Sequence, residues 1–350
     1  MSQDEPKVWQ PLHTAVRAKL DPEYVAFHDQ YMQYVQPDDS KVWDGTARTQ
    51  PSLPPGGIPP VPVGDIKDFR VGQFRLRAYT PTGECDLDGW PVLLWFHGGG
   101  WAIGGLDDNK DFCTFLCQES KCIVITVDYR LAPEHRFPTA VNDSIDAFRW
   151  VSAGPSELGP INTSRIAIGG TSAGANLAVV AALSAVDPSV TLPLTKPSLP
   201  NCIFYPPVSL LLVVPVIDNT ATADSIWKRN AETAPWLTPA RMEWYRKLYF
   251  NNQKERSGWD ASPNFAPESL LKRLPRTWMA VSDQDILAPE AESFAEQLEG
   301  LGVPVDVVNI EGGTHSILTL GGKIARSREM MQDAASHLKR VFEIEDSPCI

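Results

Sequence analysis

Positive charge is in short supply in this chain: 31 Lys and Arg stand against 43 Asp and Glu, a formal net charge of −12 over 350 residues. A field of that sign repels phosphates, so nucleic acid and anionic membrane surfaces are not expected partners, whereas small neutral or cationic ligands are. Cysteine is also scarce. Cys85, Cys113, Cys117, Cys122, Cys202 and Cys349 have neither the density of a disulfide scaffold nor a Cys-x-x-Cys spacing, and they read as free thiols. The six histidines lack His-x-x-x-His or comparable ligand spacing, so no metal and no other cofactor is expected. No apolar run approaches the ~18 residues of a membrane-spanning helix. The start, Met1-Ser2-Gln3-Asp4-Glu5-Pro6-Lys7, is polar and without the basic and apolar regions of a secretion signal, so a soluble cytoplasmic protein is expected.

What the chain does hold is a 43% hydrophobic composition at a length that supports one large core with a small accessory part. Residues 1–60 read as a helical front with a Pro-rich linker. Tyr24, Phe27, Tyr31 and Tyr34 recur there at three- and four-residue steps, and prolines between 51 and 62 forbid a continuing helix. Beyond it, apolar runs at 74–80, 92–96, 123–128, 166–168, 210–216, 278–281 and 305–310 alternate with helical patterns at 140–151, 176–186, 290–301 and 325–340. Continuous apolar strands alternating with helices predict an α/β fold, a mostly parallel sheet covered on both faces. The core is expected at 61–216 and 262–350. Segment 217–261 interrupts the rhythm, with Trp227, Trp236, Trp244, Tyr245, Tyr249 and Phe250 crowding a helical pattern. It is expected to close over the carboxyl edge of the sheet as a helical cap, its aromatics lining a cavity or holding cap to core. The connection 187–209 is long for a compact domain and suggests no function.

The chemistry starts at Gly170-Thr171-Ser172-Ala173-Gly174, which follows the apolar Ile166-Ala167-Ile168 and opens onto a helix-forming stretch. A serine at the apex of a sharp strand-to-helix turn needs small neighbours two residues away on each side, and its hydroxyl then projects from the sheet edge. A serine hydroxyl is a poor nucleophile at pH 7 without a histidine to take its proton and a carboxylate to orient that histidine. His315 lies in Glu311-Gly312-Gly313-Thr314-His315, a loop after the last strand, where α/β folds place functional side chains. Asp283 and Asp285, in the loop after 278–281, both satisfy the chain order Ser, Asp, His, and spacing does not choose between them. In His97-Gly98-Gly99-Gly100-Trp101, after strand 92–96, consecutive glycines leave backbone N–H groups unobstructed. Gly98 and Gly99, with Ala173 after the serine, are the expected donors to an oxyanion.

These motifs resemble the hormone-sensitive-lipase-like family of α/β-hydrolases, a group of carboxylesterases and lipases. The likeness rests on the His97 to Trp101 motif, on Asp128-Tyr129-Arg130-Leu131-Ala132-Pro133-Glu134-His135 with Phe137-Pro138-Thr139-Ala140, and on the serine turn, in the branch with Thr171 before the serine. The family's Asp-x-Leu motif falls on Asp285-Ile286-Leu287, which selects Asp285, and its terminal histidine falls on His315. The resemblance implies an acyl-enzyme mechanism on a small-molecule ester, with Ser172 as nucleophile, His315 as base then acid, and Asp285 as its orienter. It implies supporting rather than catalytic roles for His97 and the Asp128 to His135 block. Trp101 and Ile317 are taken as substrate-binding, although Ile317 stands where the family commonly has Phe, and Pro289 replaces an acidic residue.

The leading expectation is hydrolysis of small to medium acyl esters. A lactonase, amidase or acyltransferase would use the same apparatus. A reading of another class is a non-catalytic receptor, since the plant gibberellin receptors resemble this family but have lost the histidine; here His315 is present. A homodimer is compatible with the sequence.

Overall fold

The computed structural model describes residues 6–49, 56–186 and 205–343. Its strands are Asp65–Val71 (β1), Phe74–Thr80 (β2), Trp90–Phe96 (β3), Ile123–Asp128 (β4), Ile161–Thr171 (β5), Ser209–Val213 (β6), Arg276–Ser282 (β7) and Val305–Ile310 (β8). They pair into one eight-stranded sheet, ordered β1-β2-β4-β3-β5-β6-β7-β8. Pairing is antiparallel from β1 through β2 to β4 and parallel from there to β8.

Side chains alternate across these strands, and both faces are apolar. Val92, Leu94 and Phe96 of β3, Ile166 and Ile168 of β5 and Leu210 and Leu212 of β6 share one core with helices Thr139–Ser152 (α4), Ala173–Val186 (α5) and Ala288–Gly300 (α8). Leu93, Trp95, Ala167, Leu211 and Val213 face the other way, onto helices Lys110–Glu119 (α3) and Ala325–Glu343 (α9). Each fully buried Val, Leu, Ile or Phe contributes about 1.5–3 kcal/mol, which is why strands with no polar face are stable only between two helical layers. Helix α5 carries no charge and is buried on nearly every side, as its unbroken Ala, Leu and Val pattern requires.

The front of the chain is less helical than its aromatic periodicity predicts. It forms only Thr14–Arg17 (α1) and Pro22–Gln30 (α2), followed by single 3-10 turns, and the regular spacing ends where Tyr31 caps α2. Tyr24 and Phe27 are buried, whereas Tyr31 and Tyr34 are exposed. The buried pair joins Val16, Leu20 and Met32 in a third cluster with Leu320 and Ile324 beyond β8. Segment 217–261 contains one α-helix, Pro239–Tyr249 (α6), started by the Thr238 side chain and Pro239; Glu268–Leu271 (α7) follows. Strand β6 stops earlier than its apolar run suggests, because Val214 turns into the left-handed region at φ 41°. The linker prolines before Gly56, and most of the connection 187–209, lie outside the described residues. Cys85, Cys113, Cys117 and Cys122 are free thiols. No helix among the described residues is long and apolar enough to cross a membrane.

Burial lowers the pKa of His28 and of His337 to about 4. The unfolded chain takes up these protons near pH 6.5 and the folded chain only near 4, so the stability they confer is present above about 6.5 and lost as pH falls through that window. Each ring contributes at most about 3 kcal/mol of this dependence. Urea midpoints at pH 4.5 and 7 should therefore separate wild type from His337→Gln, the variant losing less on acidification. Equal losses would show that His337 does not titrate differently in the fold.

Candidate active site

Ser172 sits between β5 and α5 at φ 54°, a left-handed conformation that non-glycine residues adopt at a cost. Three backbone hydrogen bonds hold it there. Its N–H donates to Val213 O at 2.9 Å, and its carbonyl accepts from Val216 N and Asn176 N, each at 3.2 Å. A Cβ on Gly170 would come closer than 3.0 Å to the backbone of Gly174, and one on Gly174 closer than 3.0 Å to the carbonyls of Phe96 and His97. The turn thus closes only with hydrogen at both flanking positions.

Two loops at the same sheet edge reach this serine. After β8, Gly312 turns at φ 69° and its carbonyl accepts from Asp21 N at 3.1 Å, which ties the histidine loop to the front segment. After β7, Gln284 N donates to Gly313 O at 3.0 Å, which joins the acidic loop to the histidine loop. The result is a continuous line: His315 Nδ1 lies 2.7 Å from Asp285 Oδ2, and His315 Nε2 lies 2.9 Å from Ser172 Oγ. A carboxylate can only accept, so Nδ1 carries the proton and Nε2 is left to accept from the serine hydroxyl. Asp285 is 1% exposed, and its other oxygen accepts from Leu287 N at 3.2 Å. Asp283, which spacing left open, does not reach the histidine, and its Oδ1 is buried without a partner.

The glycine loop lies against this line. Gly98 packs on Thr171 and Ser172, and Gly99 turns at φ 97°. Among the described residues none accepts a hydrogen bond from the N–H of Gly98, Gly99 or Ala173. Such unsatisfied donors are what an oxyanion site requires. His97 and Tyr129 brace the loop from behind: their rings stack at 4.3 Å, the tyrosine hydroxyl donates to His97 O at 2.9 Å, and His97 Nδ1 donates to Gly98 O at 2.7 Å. Burial lowers the pKa of His97, keeping the ring neutral in this supporting place.

A cavity of about 760 Å³ opens over Ser172, His315, Gly98 and Gly99, within the range of small-molecule sites. From 217–261 it is lined by Trp236, Leu237, Arg241, Met242 and Tyr245. Two expected substrate contacts are corrected here. Trp101 is fully buried, stacked on Tyr249 at 4.4 Å, and Ile317 packs in the core beneath α9; neither lines this cavity. Trp227, Tyr249 and Phe250 are likewise core residues, so of the cap aromatics Trp236 and Tyr245 alone face it.

Other contributors carry no motif that spacing could reveal. Asn230 donates to the carbonyls of Asp283 and Asp285 at 2.8 and 2.7 Å, fixing the acidic loop from the cap side. Glu290, five residues after Asp285, accepts from Ile217 N at 2.7 Å and Trp227 Nε1 at 2.6 Å, and burial pushes its pKa up to about 8. Among the described residues no group of His, Cys, Asp and Glu side chains is arranged to hold a metal ion.

A serine raised on a strand-to-helix turn at the middle of a mostly parallel sheet defines a hydrolase of the α/β class, and residues 93–319 match the family described as alpha/beta hydrolase fold. The chain belongs to that family, in its hormone-sensitive-lipase-like, carboxylesterase-like branch. It is 33% identical to an AB hydrolase superfamily protein of Schizosaccharomyces pombe, over 98% of this chain and 100% of the yeast protein. It is 30% identical to carboxylesterase NlhH of Mycobacterium tuberculosis, over 94% of this chain and 98% of that one. An ester-hydrolase from the metagenome of Lake Arreo, solved with a derivative of bipyridine phosphonate, superposes with a TM-score of 0.80 at 25% identity. It covers 92% of this chain and 99% of that one.

Proposed function

We propose that the chain hydrolyses carboxylic esters of small to medium acyl groups through an acyl-enzyme on Ser172. His315 Nε2 takes the hydroxyl proton as Ser172 Oγ attacks the ester carbonyl, and Asp285 holds the imidazole in its tautomer and offsets the imidazolium charge. The N–H groups of Gly98, Gly99 and Ala173 receive the oxyanion. Collapse of the tetrahedral intermediate breaks the bond to the alcohol, which leaves with the proton from His315; a water then repeats the sequence and frees the acid. Residues 1–60 and 217–261 act together as the cap, over a core of 61–216 and 262–350.

The single observation that carries this reading is the hydrogen-bonded line from Asp285 through His315 to Ser172, opening into a cavity of ligand size. The same line weighs against a receptor that binds without turnover. Lactones, amides and acceptors other than water remain variants of this chemistry, distinguished by product analysis. The test is turnover of p-nitrophenyl acetate and butyrate, followed by labelling with an alkyl p-nitrophenyl phosphonate and peptide mass spectrometry. Activity lost in step with one phosphonyl group on Ser172 is expected. Tight binding without turnover of any ester, or a label elsewhere, would overturn the assignment.

A further inference from the structure

Arg241, on α6, is 4% exposed and lines the same cavity as Ser172 and His315. Its guanidinium is fixed from three sides. Nε donates to Asp39 Oδ1 at 3.1 Å, Nη2 donates to Gln10 Oε1 at 3.0 Å, and the plane lies over the Trp236 ring with its centre 4.6 Å away. Gln10 is itself oriented, because its amide nitrogen donates to Val35 O at 2.7 Å. The remaining nitrogen, Nη1, has no hydrogen-bond partner among the described residues.

Position on the helix places this donor relative to the chemistry. Tyr245 follows Arg241 by four residues and so shares its helix face. The Tyr245 ring occupies the space that a Cβ on Gly100 would fill, so that face rests on the glycine loop. Arg241 stands four residues before Tyr245, about 6 Å along the axis. A held N–H on a cavity wall with no protein acceptor takes its acceptor from the cavity's contents, water or a ligand oxygen.

Charge decides which acceptor. Asp39 already offsets the guanidinium, and Asp38, half-buried, lines the same cavity with Lys41 no closer than 3.9 Å. Asp38 and Asp39 thus already match Lys41 and Arg241, so a substrate carboxylate would be a third anion beside two cations, whereas a neutral oxygen meets the donor without that repulsion.

We infer that Arg241 is a specificity-determining residue, and that Nη1 donates a hydrogen bond to a neutral carbonyl, ether or hydroxyl oxygen on the chain of the ester, several bonds from the scissile carbonyl. This rests on the reading of Ser172 as the nucleophile. The preferred substrates are accordingly oxygenated esters rather than plain alkyl esters.

The test compares kcat/KM for two ester series, keto groups walked along the acyl chain and ether oxygens walked along the alcohol chain. Each member is set against the all-carbon ester with the same number of heavy atoms and corrected for spontaneous hydrolysis. At one position wild type should favour the oxygenated member about tenfold, mostly through KM. Arg241→Met should abolish the ratio. Should that variant leave Asp39 unpaired and fail to fold, the charge-balanced pair Asp39→Asn with Arg241→Met carries the same comparison. The inference is overturned by alkyl esters turned over with no preferred oxygen position, by a preference that survives in the variants, or by a carboxylate outcompeting the neutral oxygen. Inactivity of wild type toward every ester would instead overturn the Ser172 reading on which the inference stands.

Discussion

Replacing Ser172 with Ala is expected to lower kcat for p-nitrophenyl butyrate by about five orders of magnitude, and adding His315→Ala to change it little further. The first loss corresponds to about 7 kcal/mol of transition-state stabilisation. It is that large because the variant has no nucleophile to form the acyl-enzyme and must rely on direct attack by water. The second substitution is nearly silent because an imidazole with no serine hydroxyl 2.9 Å away has lost its task. Non-additivity is the informative part: two residues acting in separate steps would multiply their losses, whereas members of one proton-transfer line do not. Asp285→Asn provides the companion result, a loss of about 10⁴-fold, since an amide can donate to Nδ1 and stabilise the wrong tautomer. Steady-state kinetics on the three single variants and the double variant check all of this. Independent multiplying losses, or residual activity in Ser172→Ala near that of wild type, would refute the proposed line.

How much of this could be read from the chain alone differed by the kind of signal. Strands 74–80, 123–128 and 305–310 begin and end where their apolar runs do. Asp65–Val71 escaped notice because it is the edge strand beside β2, mostly exposed, and an edge strand has no need for an apolar run. Lys110–Glu119 escaped because Cys113 and Cys117, read only as thiols, are half of its buried stripe with Phe112 and Leu116. Ser172 and His315 were legible as candidates because each stands in a short motif whose glycines have a local steric purpose, whereas Asp285 has no glycine beside it and was set apart from Asp283 only by the family resemblance. The cavity wall was not legible. Asp38, Arg241 and Tyr245 are about two hundred residues apart at the extremes, and nothing local distinguishes them from surface residues. Trp101 and Ile317 stand beside functional motifs, but proximity in sequence to a turn does not fix which way a side chain points. Trp101, in the left-handed region at φ 59°, points into the core.

The turn itself invites the second large effect. Gly174→Ala adds one methyl group, yet that carbon would lie closer than 3.0 Å to two carbonyl oxygens, those of Phe96 and His97, and neither can rotate away as a side chain would. Either α5 withdraws from β3 or the segment leading into Gly98 and Gly99 moves off. In both cases the proposed oxyanion donors, the N–H groups of Gly98 and Gly99, lose register with Ser172. Overpacking of this kind costs about 1–3 kcal/mol of stability, and a displacement near 1 Å at the reacting centre costs about a hundredfold in kcat. Gly300, the last residue of α8, is the natural control: nothing lies within 4 Å of its Cβ position. Ala there should stabilise by about 0.5–1 kcal/mol, through the lost freedom of glycine in the unfolded chain, without altering kcat. Thermal melts and p-nitrophenyl butyrate kinetics on the two variants separate a general intolerance of glycine replacement from a local one. If Gly174→Ala melts and turns over like wild type, the turn has room to spare, and the claim that sterics hold Ser172 against the glycine loop is wrong.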